Sequence, residues 1–130
     1  MHSVFDAVKS EPSLVPAVRT TGENGGGVDT LGYNSAKLVI AAGDIDTADG
    51  DETYAVKIEE SDDNSGFSPV AGLETAITAD NETVNIRIEG LGTSRKRYLR
   101  AVLDVGGTTP SIPCSAIFEL GRAFTEPVQS

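Results

Sequence analysis

The chain has 130 residues, 20 acidic side chains against 10 basic ones, and a net charge of −10. That balance argues against nucleic acid as a partner, because phosphates demand a cationic face, and against an anionic membrane surface. The single cysteine, Cys114, excludes an internal disulfide, and no apolar run reaches the roughly 18 residues that cross a bilayer as a helix.

The length suits one domain, and 14 glycines with no tryptophan and a hydrophobic share of 38% suit short strands joined by many turns. A lone thiol fits a reducing cytoplasm. The opening "MHSVFDAVKSEPSLVP" lacks the apolar core of a secretory signal. "FDAVKS" is too short for a stable helix. In "SLVPAVRTT", Pro16 forbids a central strand position but allows an extended edge or arm. "GENGGGVDT" reads as a flexible loop or hinge. Residues 1–27 are therefore expected to form an extended N-terminal arm with a glycine-rich hinge.

From Tyr33 the pattern has a period of two. "SAKLVIAAG" sets Leu38, Ile40 and Ala42 on one face, "TYAVKIEE" sets Tyr54, Val56 and Ile58, and "ETVNIRIEG" sets Val84, Ile86 and Ile88. A weaker strand is expected in "LETAITA", residues 73–79. "RYLRAVLDV" is apolar on both faces, as a central strand would be, and "SIPCSAIFELG" places Ile112, Cys114, Ala116, Phe118 and Leu120 on one side. Between these runs stand "GDIDTADGDE", "SDDNSG", "ADNE", "GLGTSRK" and "GGTTPS", each a turn by composition. The expected fold is all-β, an antiparallel β-sandwich of jelly-roll-like form. The sandwich domain is expected over residues 28–121, with a C-terminal tail over 122–130.

The residues offer little for catalysis. His2, the only histidine, stands beside the first residue, where it lacks the fixed position that proton transfer needs. Cys114 falls on the apolar face of its strand, where a thiol acts as a small hydrophobe. Asp44, Asp46, Asp49, Asp51 and Glu52 are close in sequence, but the EF-hand register fails because Ala48 and Ala55 fall where ligands belong. Acids in turns still have a plain role, since Asp and Asn accept turn geometry and charged tips keep sheet edges from pairing with strangers. No catalytic residue, cofactor or metal is expected. The cluster Arg95, Lys96, Arg97 and Arg100 is the one positive patch in sequence, either a solvated loop or a docking point for an acidic partner surface.

Three stretches carry a resemblance. "VDTLGYNSAKLVIAAGDI", "YAVKIEESDDNSGFSPVAG" and "RYLRAVLDVGGTTPSIPCSAIFELGRAFTEPV" resemble small head proteins of tailed bacteriophages and prophages, which decorate or cement the capsid. The shared features are a glycine-aromatic step before a strand, an acidic turn closed by Gly-Phe, an Arg-Tyr-x-Arg strand, and a last strand ending in Leu-Gly before a Pro-Val tail. The tail here, "GRAFTEPV", departs from the basic-proline ending of the group. The resemblance implies a non-enzymatic virion protein on the capsid surface, made in the host cytoplasm. Its partners would be the major capsid protein and itself as a homo-oligomer, with a trimer favoured. Phe5, Leu14, Val15, Arg95, Lys96, Arg97, Phe124 and Val128 are the expected contact residues. The other readings are a head fibre or tail protein, or a carbohydrate or cell-surface binding module. A small hydrolase would need a fixed acid–base pair that the sequence does not display.

Overall fold

The computed structural model describes residues 8–122, and all regular structure among them is β. The strands are β1 Val8–Arg19, β2 Glu23–Asn24, β3 Val28–Asp29, β4 Ser35–Ala42, β5 Thr53–Ser61, β6 Ser68–Ala76, β7 Thr83–Ile88, β8 Tyr98–Gly106 and β9 Ile112–Gly121. One sheet has the order β1-β9-β4-β7, the other β2-β8-β5-β6 with β3 also on β8. Every pairing is antiparallel. The pairs nest: β1 with β9, β2 and β3 with β8, β4 with β7, β5 with β6. That is one long hairpin rolled up on itself, the winding of a jelly roll.

Period-two sequence produces this core directly, because alternate side chains of each strand face the opposite sheet. Leu38 and Ile40 of β4, Val56 and Ile58 of β5, Leu99, Ala101 and Leu103 of β8, and Ala116, Phe118 and Leu120 of β9 are buried. In the ladders Leu38 stands opposite Phe118 on one side and Ile86 on the other, and Val56 stands opposite Leu103. β8 lies between other strands, and Val102 on its outward face is buried as well.

Three expectations need correction. Residues 8–19 are not an arm: they form β1, paired along β9, and Leu14 is 1% exposed in the chain's own core. Pro16 does sit on an edge strand, as its missing donor requires. The register slips between Pro12 and Leu14 and again between Leu14 and Ala17, which breaks the alternation that would have marked the strand.

The glycine run is not a hinge. It carries β2 and β3 onto β8, and Gly25 and Gly26 lie in the seam between the two sheets. Gly25 N–H donates to Ala101 O at 2.7 Å, and Gly26 N–H to Ser13 O at 2.8 Å. A Cβ on Gly25 would run into the Ser13 hydroxyl and lie 2.7 Å from Ala101 O. Close backbone approach, rather than flexibility, is what glycine supplies here.

The weaker strand begins earlier than expected, at Ser68 rather than at residue 73, and stops at Ala76. Gly72 has a φ of +83°, and the register against β5 shifts between Lys57 and Glu59. This irregularity hides the strand's first half from a period-two reading.

If β1 belongs to the body, Leu14→Ala should lower unfolding stability by about 2–5 kcal/mol, the usual cost of a buried leucine truncation. Urea denaturation measures it, and a loss within about 0.5 kcal/mol, typical of a surface position, would detach β1 from the core.

Candidate functional site

The sandwich has two dissimilar ends. Its basal end carries the β3–β4 turn, the β5–β6 turn, the β7–β8 connection, the start of β1 and the finish of β9. The opposite end carries residues 43–52, 77–82 and 107–111.

At the basal end the acidic turn after β5 is organised by one carboxylate. Asp63 Oδ1 accepts from Ser61 Oγ at 2.8 Å, Ser65 N at 3.0 Å and Gly66 N at 3.1 Å. These bonds, that of Ser61 first, hold its pKa below the ordinary aspartate value. Asn64 takes a φ of +61°, a conformation that Asn tolerates in turns. The acidic knot is therefore a turn that joins β5 to β6.

The basic run is not a free positive patch, because its cations are matched within the chain. Arg97 Nε and Nη2 donate to the two oxygens of Asp29 at 2.8 Å each, a bidentate clasp. Arg100 Nε and Nη2 donate to Glu59 Oε1 at 3.0 and 2.6 Å, and its guanidinium lies 4.3 Å from the Phe67 ring centre. Arg95 Nε is 3.7 Å from Glu60 Oε1, whose oxygen also accepts from Lys96 N at 3.0 Å, and Lys96 Nζ is 3.8 Å from Asp62. The sequence clusters the cations but does not reveal Asp29, Glu59 and Glu60 as their partners. Pairing register brings them together: Glu59 stands opposite Arg100 across the β5–β8 ladder. The Arg97 hydrogen bonds, then the Leu31 amide, hold the Asp29 pKa at about 2, against 3.8 for the free group.

The other end is acidic. Asp44, Asp46, Asp49, Asp51, Glu52, Asp80 and Glu82 fall within its loops, which contain no Lys or Arg. Most are turn clamps. Asp51 accepts from Thr108 Oγ1 at 2.7 Å and Thr108 N at 3.0 Å, which lowers its pKa. Asp49 Oδ2 accepts from Thr109 Oγ1 at 3.0 Å, Asp80 Oδ1 from Ile45 N at 2.8 Å, and Asp44 Oδ1 from Asn81 Nδ2 at 3.3 Å. Tyr54 fastens two of these loops, donating to Asp46 O at 2.6 Å and accepting from Ser111 N at 2.9 Å.

Among the described residues, the group with metal-ligand proximity is Asp49, Asp51 and Glu52, with one oxygen from each within 4.8 Å of the others. Asp49 and Asp51 already accept from threonines, and Glu52 Oε2 accepts from Asp49 N at 3.1 Å. Calcium takes about six to eight oxygens, and four of the six carboxylate oxygens here already accept protein hydrogen bonds. Glu52 Oε1 is buried without a hydrogen-bond partner; the structure offers no account of it.

Cys114 is buried, and desolvation raises its thiol pKa, against which Arg19 acts in the opposite sense. That is a packing thiol rather than a nucleophile. A shallow groove of about 370 Å³ crosses the outer face of the four-stranded sheet, lined by Val8, Ala36, Lys37, Arg87, Leu120 and Gly121 among others. Lys37 Nζ lies 3.9 Å from Glu119 across this face. The lining holds neither an aromatic ring nor a histidine.

Of the expected contact residues, Leu14 is in the core, Val15 is 58% exposed, and Arg95, Lys96 and Arg97 are paired internally. Phe5, Phe124 and Val128, like His2, lie outside the described residues. Three exposed apolar side chains that the sequence did not single out are Leu31 at 67% and Val8 at 41%, both basal, and Val18 at 67%, toward the other end.

No family model matches the chain. No curated protein matches it. A solved structure of a family two carbohydrate esterase from Cellvibrio japonicus is similar at a TM-score of 0.33 and 12% identity, over 95% of this chain and 37% of that chain. The chain thus spans little more than a third of that esterase, and a likeness this loose carries no argument about activity.

Two outcomes test the ion pairs. Asp29 is ionised more readily folded than unfolded, so its pair stabilises the fold above 3.8 and loses that contribution as pH falls from 3.8 toward about 2. The wild type should lose stability across this window more steeply than Asp29→Asn in pH-resolved denaturation; equal slopes would refute the assignment. Arg100→Ala, which strands the nearly buried Glu59 carboxylate with only Lys57 at 3.8 Å, should cost about 2–4 kcal/mol. The double variant Arg100→Met with Glu59→Leu should cost less than that single change, as read by chemical unfolding.

Proposed function

We propose that the chain is a non-enzymatic structural protein of a tailed-phage virion, one that decorates or cements the capsid by binding major capsid subunits across their seams. The observation that carries this reading is a self-supporting jelly roll whose clustered acids, bases and thiol, Glu52 Oε1 excepted, are engaged in holding its own turns, ladders and core. A hydrolase would leave an acid–base pair facing a cleft, poised and under-satisfied. Among the described residues, the charged groups at the outer-face groove are arranged otherwise, and its lining lacks the aromatic platform that sugar recognition commonly uses. The resemblance of three stretches to small phage head proteins supports the same reading. Jelly rolls serve in viral shells and in lectins alike, so the fold by itself does not choose between them.

A shell under internal pressure is held by many weak subunit contacts. A rigid body that touches two subunits at once strengthens them through effective concentration, without requiring a tight single contact. Val15, exposed on the β1 edge, and Phe5, Phe124 and Val128 are the proposed contact residues. Leu14 is withdrawn, because its side chain serves the core.

Purified protein added to capsid shells that lack it should bind at micromolar concentration and raise the shell melting temperature. Absence of binding at that concentration overturns the reading, and labelled protein found at the tail in micrographs would reassign it to another virion part.

A further inference from the structure

The outer faces of the two sheets differ in chemistry. On the five-stranded sheet, ladder register sets Asp104 beside Ala55, Lys57 beside Glu74, and Glu59 beside Arg100, so charge runs along that face. On the four-stranded sheet the outward charges gather near the basal end, where Lys37 lies 3.9 Å from Glu119 and Arg87 lies 3.3 Å from Glu89. Beyond them, three successive cross-strand rows carry no charge. Pro12, Ile117, Val39 and Asn85 make the first, Ser115, Ala41 and Thr83 the second, and Val18 with Pro113 the third.

The same rows hold aliphatic surface. Val15 and Val18 are exposed on β1, and Val39, Pro113 and Ile117 are half-buried beside them. Loss of charge from a surface is the compositional mark of an interface centre. Rows about 7 Å apart on strands about 4.8 Å apart give a patch of about 300–400 Å². That is the size of a functional patch on a monomer but less than the roughly 800 Å² a side of a standard interface, so a partner must reach past the rows onto their rim. On the basal side the rim is charge-matched. On the far side, just beyond β4 and β7, stand Asp44 and Asp80, which accept from Asn81 Nδ2 and Ile45 N in loops without a Lys or Arg. The complementary surface is therefore a flat apolar patch bordered along one side by basic side chains.

We infer that the outer face of the four-stranded sheet is the face that lies on the capsid shell, with Val15, Val18 and Ile117 against apolar subunit surface and Asp44 and Asp80 against Lys or Arg of the subunit. This rests on the decoration reading and adds to it which side of the sandwich docks and what chemistry the shell must present. Apolar burial supplies the attraction, and the acidic rim sets the direction of approach. The sandwich then lies on its side, and Asp49, Asp51 and Glu52, at the entry to β5 in the other sheet, stay turned to water.

The test measures binding of the full chain to capsid shells that lack it, at low and high salt. Val15→Asp with Val18→Asp, both at exposed positions of an edge strand, should weaken binding by about tenfold or more, as loss of a central apolar contact does; circular dichroism confirms the fold. Glu74→Arg, on the outer face of the other sheet, should bind as wild type does. Wild-type binding should weaken as salt rises, and Asp44→Asn with Asp80→Asn, whose amides keep the accepting oxygens, should flatten that response. Undiminished binding by the valine variant, an unchanged salt response in the Asp44→Asn/Asp80→Asn variant, or an equal loss on Glu74→Arg would each overturn the inference. So would sedimentation of the chain alone showing an oligomer that the valine variant dissociates, because a second copy would then hold this face. The failures are distinguishable: a wild type that binds no shell sinks the decoration reading and this inference together, whereas a wild type that binds with the valine variant its equal sinks this inference alone.

Discussion

Val8–Arg19 lies antiparallel along Ile112–Gly121, and the rest of the structure depends on that closure. The pairing joins the first described strand to the last. It seals one side of the core. Leu14 delivers an apolar side chain from β1 into the interior. Ser13, beside it, accepts from Ala101 N at 2.9 Å and donates to Gly26 O at 2.8 Å, a polar stitch between sheets otherwise held by side-chain packing. Both partners of that buried hydroxyl are backbone groups, so it is satisfied on the donor and the acceptor side. The adjacent glycines let the second sheet approach closely enough for the stitch to exist.

From that closure follows a division of labour along the long axis. At the basal end arginines bridge strands and turns: Asp29 to the β7–β8 connection, Glu59 to β8. Charge there is spent on geometry, because a bidentate guanidinium fixes two segments in orientation as well as distance. At the other end carboxylates accept from backbone amides and hydroxyls of their own loops, which carry no Lys or Arg, and Arg19, opposite Ile112, is paired with Glu23. The net charge of −10 is therefore concentrated at one end. Solubility and long-range repulsion reside there.

Much of this was legible in sequence because burial in a sandwich is written with period two. Leu38, Ile40, Val56, Ile58, Phe118 and Leu120 occupy the inward positions that alternation assigns them, and the turns fall where Asp, Asn and Gly cluster. Legibility failed where the backbone departs from regular pleating. β1 reads as an arm because Pro12, Ser13 and Pro16 interrupt its pattern and two register slips change which face each residue takes. The glycine run reads as a hinge because composition does not separate a free loop from a backbone pressed against another. The partners of the arginines were hidden for a different reason. Asp29 is 68 residues from Arg97 and Glu59 is 41 from Arg100, and only strand register brings them into contact.

The same accounting bears on what kind of work the chain does. Catalytic sites hold groups away from their most comfortable state, with a base left free, a thiol ionised or a carboxylate kept protonated. Here the perturbed groups move the other way. Asp29, Asp51 and Asp63 are stabilised as carboxylates by donors that also fix turns, and the Cys114 thiol is pushed toward neutrality by burial. Each of these four shifts favours the form that the group's own neighbours hold. A body organised in that way has its surface left for recognition, and its surface is strongly polarised. Under the proposed role, a charge-balanced end suits contact with other protein, and an acidic end turned to solvent keeps densely arrayed copies from sticking to whatever drifts past.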